Sequence, residues 1–96
     1  MIAEIHVSPC PAGTPEGRYE HVEAAIAVVR SSGLHVEVGA LGTTFEGEPD
    51  AVWHTLRAAH EAVIASGADG LITNIRLGQR SADGITMDAL TAKFRT

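Results

Sequence analysis

The chain carries one cysteine, Cys10, among its 96 residues. That excludes an intrachain disulfide and suits a reducing compartment. Basic residues are also scarce, seven Lys and Arg against twelve Asp and Glu, for a formal net charge of -5. They form no run, and the balance argues against nucleic acid, whose phosphates demand a basic footprint. No apolar run approaches the length of a membrane span. The opening Met1-Ile2-Ala3-Glu4-Ile5 lacks the basic stretch and long apolar segment of a secretion signal, so a cytoplasmic location is expected. Neither a P-loop nor a dinucleotide fingerprint is present: Gly39 and Gly42 are followed by no Lys-Ser/Thr pair and sit in no strand-to-helix turn. Nothing of low complexity and no linker interrupts the chain, so residues 1–96 are read as a single domain.

What is there is a patterned globular sequence, 45% apolar and 20% charged. Its core is small, and domains of this size often gain stability by associating. Ile2 to Ser8 alternates, with Ala3, Ile5 and Val7 on one face and Ile2, Glu4, His6 and Ser8 on the other, as a strand requires. Pro9-Cys10-Pro11-Ala12-Gly13 ends it. Thr14-Pro15-Glu16 has the chemistry of a helix start, and the helix is predicted to reach about Ser32. Gly17 weakens the first turn and allows a start nearer Arg18. Val22, Ile26 and Val29 form the expected core stripe, with His21 on the outer side, and Gly33 is the expected stop.

Two short alternating runs, Leu34 to Val38 and Thr43 to Glu46, flank a link bounded by Gly39 and Gly42 and read as a β-hairpin. Glu48-Pro49-Asp50 starts a second helix, with Val52, Leu56, Ala59 and Val63 as its stripe and Trp53, Arg57, His60 and Ile64 beside it. Trp53 reads as a packing residue, or less simply as a stacking platform. Ser66-Gly67 ends that helix as Ser32-Gly33 ends the first. In the last strand Leu71, Thr73, Ile75 and Leu77 oppose Ile72, Asn74 and Arg76. A tail helix after Thr86, with Met87, Leu90 and Phe94 as its apolar stripe, is too short to stand alone and is expected to dock on its own sheet or on a neighbouring subunit.

The order is β-α-β-β-α-β: an α+β, ferredoxin-like sandwich, with a four-stranded antiparallel sheet, two helices on one face and a short C-terminal helix. The face away from the two helices then needs solvent, a second subunit or a ligand. It would present Glu4, His6 and Ser8, His35 and Glu37, and Ile72, Asn74 and Arg76. The third strand adds either Thr44 and Glu46 or Thr43 and Phe45; alternation leaves both registers open. Such a face suits a subunit interface with paired charges, a polar ligand site at the rim of that interface, or both.

The five histidines give no metal-binding spacing. His54 and His60 lie six apart, and only His6 and His35 can share a sheet face, needing help from Glu4 or Glu37. No metal is therefore assigned, and no cofactor. Cys10 has no histidine placed beside it by sequence, which argues against a nucleophile.

The runs Val36-Glu37-Val38-Gly39-Ala40-Leu41-Gly42-Thr43-Thr44-Phe45-Glu46-Gly47, Ala59-His60-Glu61-Ala62 and Thr73-Asn74-Ile75-Arg76 with Arg80, together with Met1 to Ile5, resemble the small thiamine-binding protein family. The likeness covers about residues 1 to 95. It implies a ferredoxin-like fold and cytosolic subunits paired sheet to sheet, commonly as tetramers (a dimer of dimers). It also implies binding of thiamine or its hydroxymethylpyrimidine part without catalysis. For such a ligand Glu4, Glu37 and Glu46 would compensate the thiazolium cation. Ser8, Thr43 and Asn74 would meet the pyrimidine edge, and Leu41 or Phe45 would pack on a ring. Arg76 would neutralise a glutamate. The expected site is thus Glu4, Ser8, Glu37, Leu41, Thr43, Phe45 and Asn74, with no catalytic residue. Two other readings stand beside it. One is an assembly or regulatory subunit without a small ligand. The other is an acylphosphatase-like hydrolase, which the two prolines of Pro9 to Gly13 disfavour by removing amides an anion would need.

Overall fold

Alternation in the sequence becomes a sheet with two unlike faces. The computed structural model describes residues 1–81 and 84–95. Its elements are β1 (Ile2–Cys10), α1 (Glu20–Arg30), β2 (His35–Val38), β3 (Thr43–Glu46), α2 (Pro49–Ala65), β4 (Gly70–Gly78) and α3 (Met87–Thr91), which continues into a 3-10 turn, Ala92–Phe94. The four strands order as β2-β3-β1-β4, and every neighbouring pair is antiparallel. This is the ferredoxin-like arrangement, with β1 and β3 central.

Ala3, Ile5 and Val7 of β1 are buried against the helices together with Phe45 of β3. The α2 stripe of Val52, Leu56, Ala59 and Val63 closes over them, each at most 2% exposed. The flanking Trp53 and Ile64 stay about half exposed. Pro49 opens α2 at a position where a missing N–H costs nothing, and Glu48 before it is extended. Both long helices stop at Ser-Gly, where Gly33 (φ 82) and Gly67 (φ 114) take left-handed angles that other residues resist.

Three expectations change. First, α1 begins at Glu20, not near Thr14. Thr14 and Gly17 bond each other through both backbone directions, and the Thr14 hydroxyl accepts the Gly17 N–H while donating to Glu20. The start chemistry is spent on a closed turn that does not propagate. Second, the buried face of α1 centres on His21, Ala25 and Val29, leaving Val22 and Ile26 only partly covered. His21, expected outside, is 3% exposed. Its Nδ1 lies 2.6 Å from the Ser66 hydroxyl. That hydroxyl donates to the Val63 carbonyl, so the ring must be the donor and its Nδ1 carries the proton.

Third, the face opposite α1 and α2 is partly covered by the chain itself. The tail docks on its own sheet. Met87 is buried, and its N–H donates to a Glu46 carboxylate oxygen at 3.0 Å. Thr86 caps α3 by accepting the Ala89 N–H. His35 meets Asp88 at 3.3 Å, and Arg95 pairs with Glu37. Among the described residues these ties lie on the β2–β3 side, while Ile72 on β4 remains 68% exposed.

Candidate functional site

Pairing fixes what alternation left open. Ala3 lies opposite Phe45 and Glu4 opposite Thr44. Thr43 and Phe45 therefore point to the helices, and Thr44 and Glu46 to the open face. Phe45 is fully buried and Thr43 4% exposed. Of the two registers that alternation leaves open, the structure has the one with Thr44 and Glu46 on the open face, so Thr43 and Phe45 of the expected site lie on the helix side.

Glu37 pairs with Thr44, Thr44 with Glu4 and Glu4 with Arg76. One polar row thus crosses all four strands. Facing residues in adjacent strands lie close enough to act as neighbours. Over this row is a cavity of about 540 Å³, lined by Glu4, Glu37, Val38, Leu41 and Thr44, the two link glycines and Arg95. Glu4, Glu37 and Leu41 of the predicted set come together here. Ser8 and Asn74 share the face but do not line the cavity; Ser8 lies about 13 Å along β1 from Glu4, at about 3.3 Å per residue.

Two polar lining residues, Thr44 and Arg95, were missed. Thr44 was within reach, since one of the two registers carried it. Arg95 was not: it meets Glu37 across 58 residues of sequence, and no local period signals such a contact. Both guanidinium nitrogens of Arg95 donate to the two Glu37 oxygens, one at 2.8 Å. The hydrogen bond and then the charge of Glu37 hold the Arg95 pKa above its ordinary value.

A second cavity, of about 500 Å³, lies on the other side of the Gly39–Gly42 link. Its origin is a mismatch of lengths. β1 has nine residues, while β2 and β3 have four each. β1 pairs with β3 only as far as Ile5. Beyond it nothing in β2 or β3 fills the space under α1, so Val7, Val22, Ile26 and Tyr19 line a gap closed by Leu41 and Thr43.

His35, Glu37 and Asp88 bring donor atoms within 4.8 Å of one another. Glu37 gives both oxygens to Arg95, and the Asp88 side chain is 78% exposed. The cluster is already charge-compensated and largely solvated, unlike a closed metal site. His6, the other histidine weighed for a metal, is not part of it.

No helix among the described residues is long and apolar enough to cross a membrane. UPF0045 protein sll0230 of Synechocystis sp. is 36% identical over 96 residues, 100% of this chain and 78% of that protein. UPF0045 protein CPE1503 of Clostridium perfringens is 32% identical over 77 residues, 80% of each chain. A solved domain of unknown function, DUF77, from Bacillus cereus superposes with a TM-score of 0.82 at 35% identity, covering 98% of this chain and 90% of that one. A Thermotoga maritima protein, described there as a candidate for thiamine biosynthesis or salvage, shares the fold at a TM-score of 0.78 and 22% identity, covering 99% and 100%. Residues 3–95 match the family described as thiamine-binding protein.

Proposed function

The chain belongs to the thiamine-binding protein family, and from that premise we propose that it binds thiamine or its hydroxymethylpyrimidine part, without catalysis, in the open-face cavity. The observation that carries this reading is the pair of carboxylates, Glu4 and Glu37, lining one cavity with a hydroxyl, Thr44, on the strand between them. Thiamine joins a permanent cation to a flat aminopyrimidine. Two acids in the cavity wall, with Thr44 between them, favour the cation by Coulomb attraction, which strengthens as water is displaced. Thr44 offers a donor and an acceptor to the pyrimidine edge. Leu41, 87% exposed on the link, is an apolar surface free to pack on a ring.

A second copy of the chain completes the proposal. The uncovered part of the sheet carries Ile72, Asn74 and Arg76, which supports a sheet-to-sheet homo-oligomer, a dimer of dimers, with the ligand near its rim. Ser8 and Asn74 are assigned to that rim, as polar groups a partner brings near the ligand. A cytoplasmic setting fits the single unpaired Cys10.

Isothermal titration with thiamine and with hydroxymethylpyrimidine tests the ligand, and light scattering after gel filtration tests the assembly. The E4Q variant is expected to weaken thiamine about tenfold, roughly the 1.4 kcal/mol of one partly screened charge contact, and to change hydroxymethylpyrimidine little. No heat with either ligand at millimolar concentration refutes the binding reading. A second reading, a subunit that only associates, is favoured by Leu90 and Phe94, which leave 54% and 75% of their surface exposed on the tail. An N74A variant that loses the oligomer but keeps any ligand affinity intact would support it.

A further inference from the structure

Arg95 stands in the wall of the candidate cavity with both oxygens of Glu37 engaged. A cation entering there meets a carboxylate that already has a partner. The partner is also a cation, and it follows two short elements: α3 has five residues and the 3-10 turn that ends before Arg95 has three, too few to be stable on helix propensity.

The anchoring is uneven along this tail. Its first residue, Met87, is buried and holds Glu46. Beyond it Leu90 and Phe94 are exposed. In that far half, the side-chain ties to the sheet among the described residues are Asp88 to His35 and Arg95 to Glu37. Both pairs are open to solvent, and ion pairs in water contribute little. One end is therefore fixed by burial and the other by charges that an incoming charge can replace.

We propose that the C-terminal segment is a charge latch: Arg95 occupies the cation subsite of the cavity in the empty protein, and a cationic ligand displaces it from Glu37. This inference rests on reading the cavity as a thiamine-type site and adds how access to it is set. The latch discriminates between ligands. A neutral aminopyrimidine does not need the Glu37 charge and leaves Arg95 in place. A ligand with a permanent cation competes with Arg95 and pushes the tail off the β2 edge. Arg95 cannot release by losing its own proton, because its pairing with Glu37 raises a pKa that is already far above neutrality.

The test uses the full chain and two probes, thiamine (cationic) and hydroxymethylpyrimidine (neutral), titrated calorimetrically into wild type and R95Q. R95Q is expected to bind thiamine about fivefold more tightly, the upper range for releasing one exposed ion pair, and to bind hydroxymethylpyrimidine as wild type does. The same substitution placed on E37Q is expected to have no effect on thiamine, because the partner is gone. Amide hydrogen exchange gives a readout independent of affinity: saturating thiamine accelerates exchange over Ala89 to Arg95 in wild type, and hydroxymethylpyrimidine does not. Thiamine affinity that is unchanged or lower in R95Q, or tail exchange that thiamine leaves unaltered, overturns the latch while the binding reading stands. Absence of thiamine binding in both proteins overturns the binding reading, and the latch with it.

Discussion

The hydrogen bond between His21 and Ser66 joins the start of α1 to the end of α2, and it gives a measurable test of how the two helices are held. Ser66 Oγ donates to Val63 and accepts from His21 Nδ1. Replacing Ser66 by Ala removes the acceptor. Ser66 is exposed, so water can reach the vacated position, and the cost should stay near the net worth of one hydrogen bond, about 1 kcal/mol, rather than the penalty of a dry unpaired donor. For a domain of this size that is a fall in Tm of about 4–8 °C. Replacing His21 by Ala removes the same bond and the packing of a ring that is 3% exposed, at a cost of about 2–3 kcal/mol. The double variant should cost about 1 kcal/mol less than the sum, because one bond is being counted twice. Urea unfolding by circular dichroism measures all three at one fixed protomer concentration, since any association would otherwise shift the midpoint. A coupling below about 0.3 kcal/mol would refute the argument. So would ring nitrogen shifts showing the neutral His21 protonated at Nε2.

Phe45→Ala should cost about 3–5 kcal/mol, a large part of the roughly 5–15 kcal/mol holding a domain together, whereas Thr44→Ala should stay within about 0.5 kcal/mol; equal effects in urea unfolding would reverse the β3 register. Phe45→Leu, which keeps the core filled, should leave the thiamine affinity measured by calorimetry unchanged. Gly13→Ala should destabilise by about 1–3 kcal/mol, because a methyl there collides with the carbonyl oxygens of Gly17 and Arg18; a thermal melt matching wild type would show that the turn before α1 yields freely.

Strand phase was legible wherever a strand was long. In β1 and β4 nine residues of alternation admit one assignment, and the structure has it. In β3 only Thr43-Thr44-Phe45-Glu46 lie between the link and Gly47, and each face could take a threonine. The choice was made by pairing with β1, a contact distant in sequence. The α2 stripe was legible because both ends were marked, by Pro49 and by Ser66-Gly67. The α1 stripe was shifted by a cause outside the helix: the short β2 and β3 leave Val22 and Ile26 bordering a cavity, so full burial falls on His21, Ala25 and Val29. Of the site, Glu4, Glu37 and Leu41 followed from face and link position. Arg95 did not, since its place rests on a contact with Glu37 across 58 residues of sequence.

Leu41 borders both hollows, one over the polar row and the other beneath α1. It is a party wall between a wet room and a greasy one. Whatever bends that wall toward one tenant takes floor space from the other, so the two chambers cannot be furnished independently, by evolution or by an engineer.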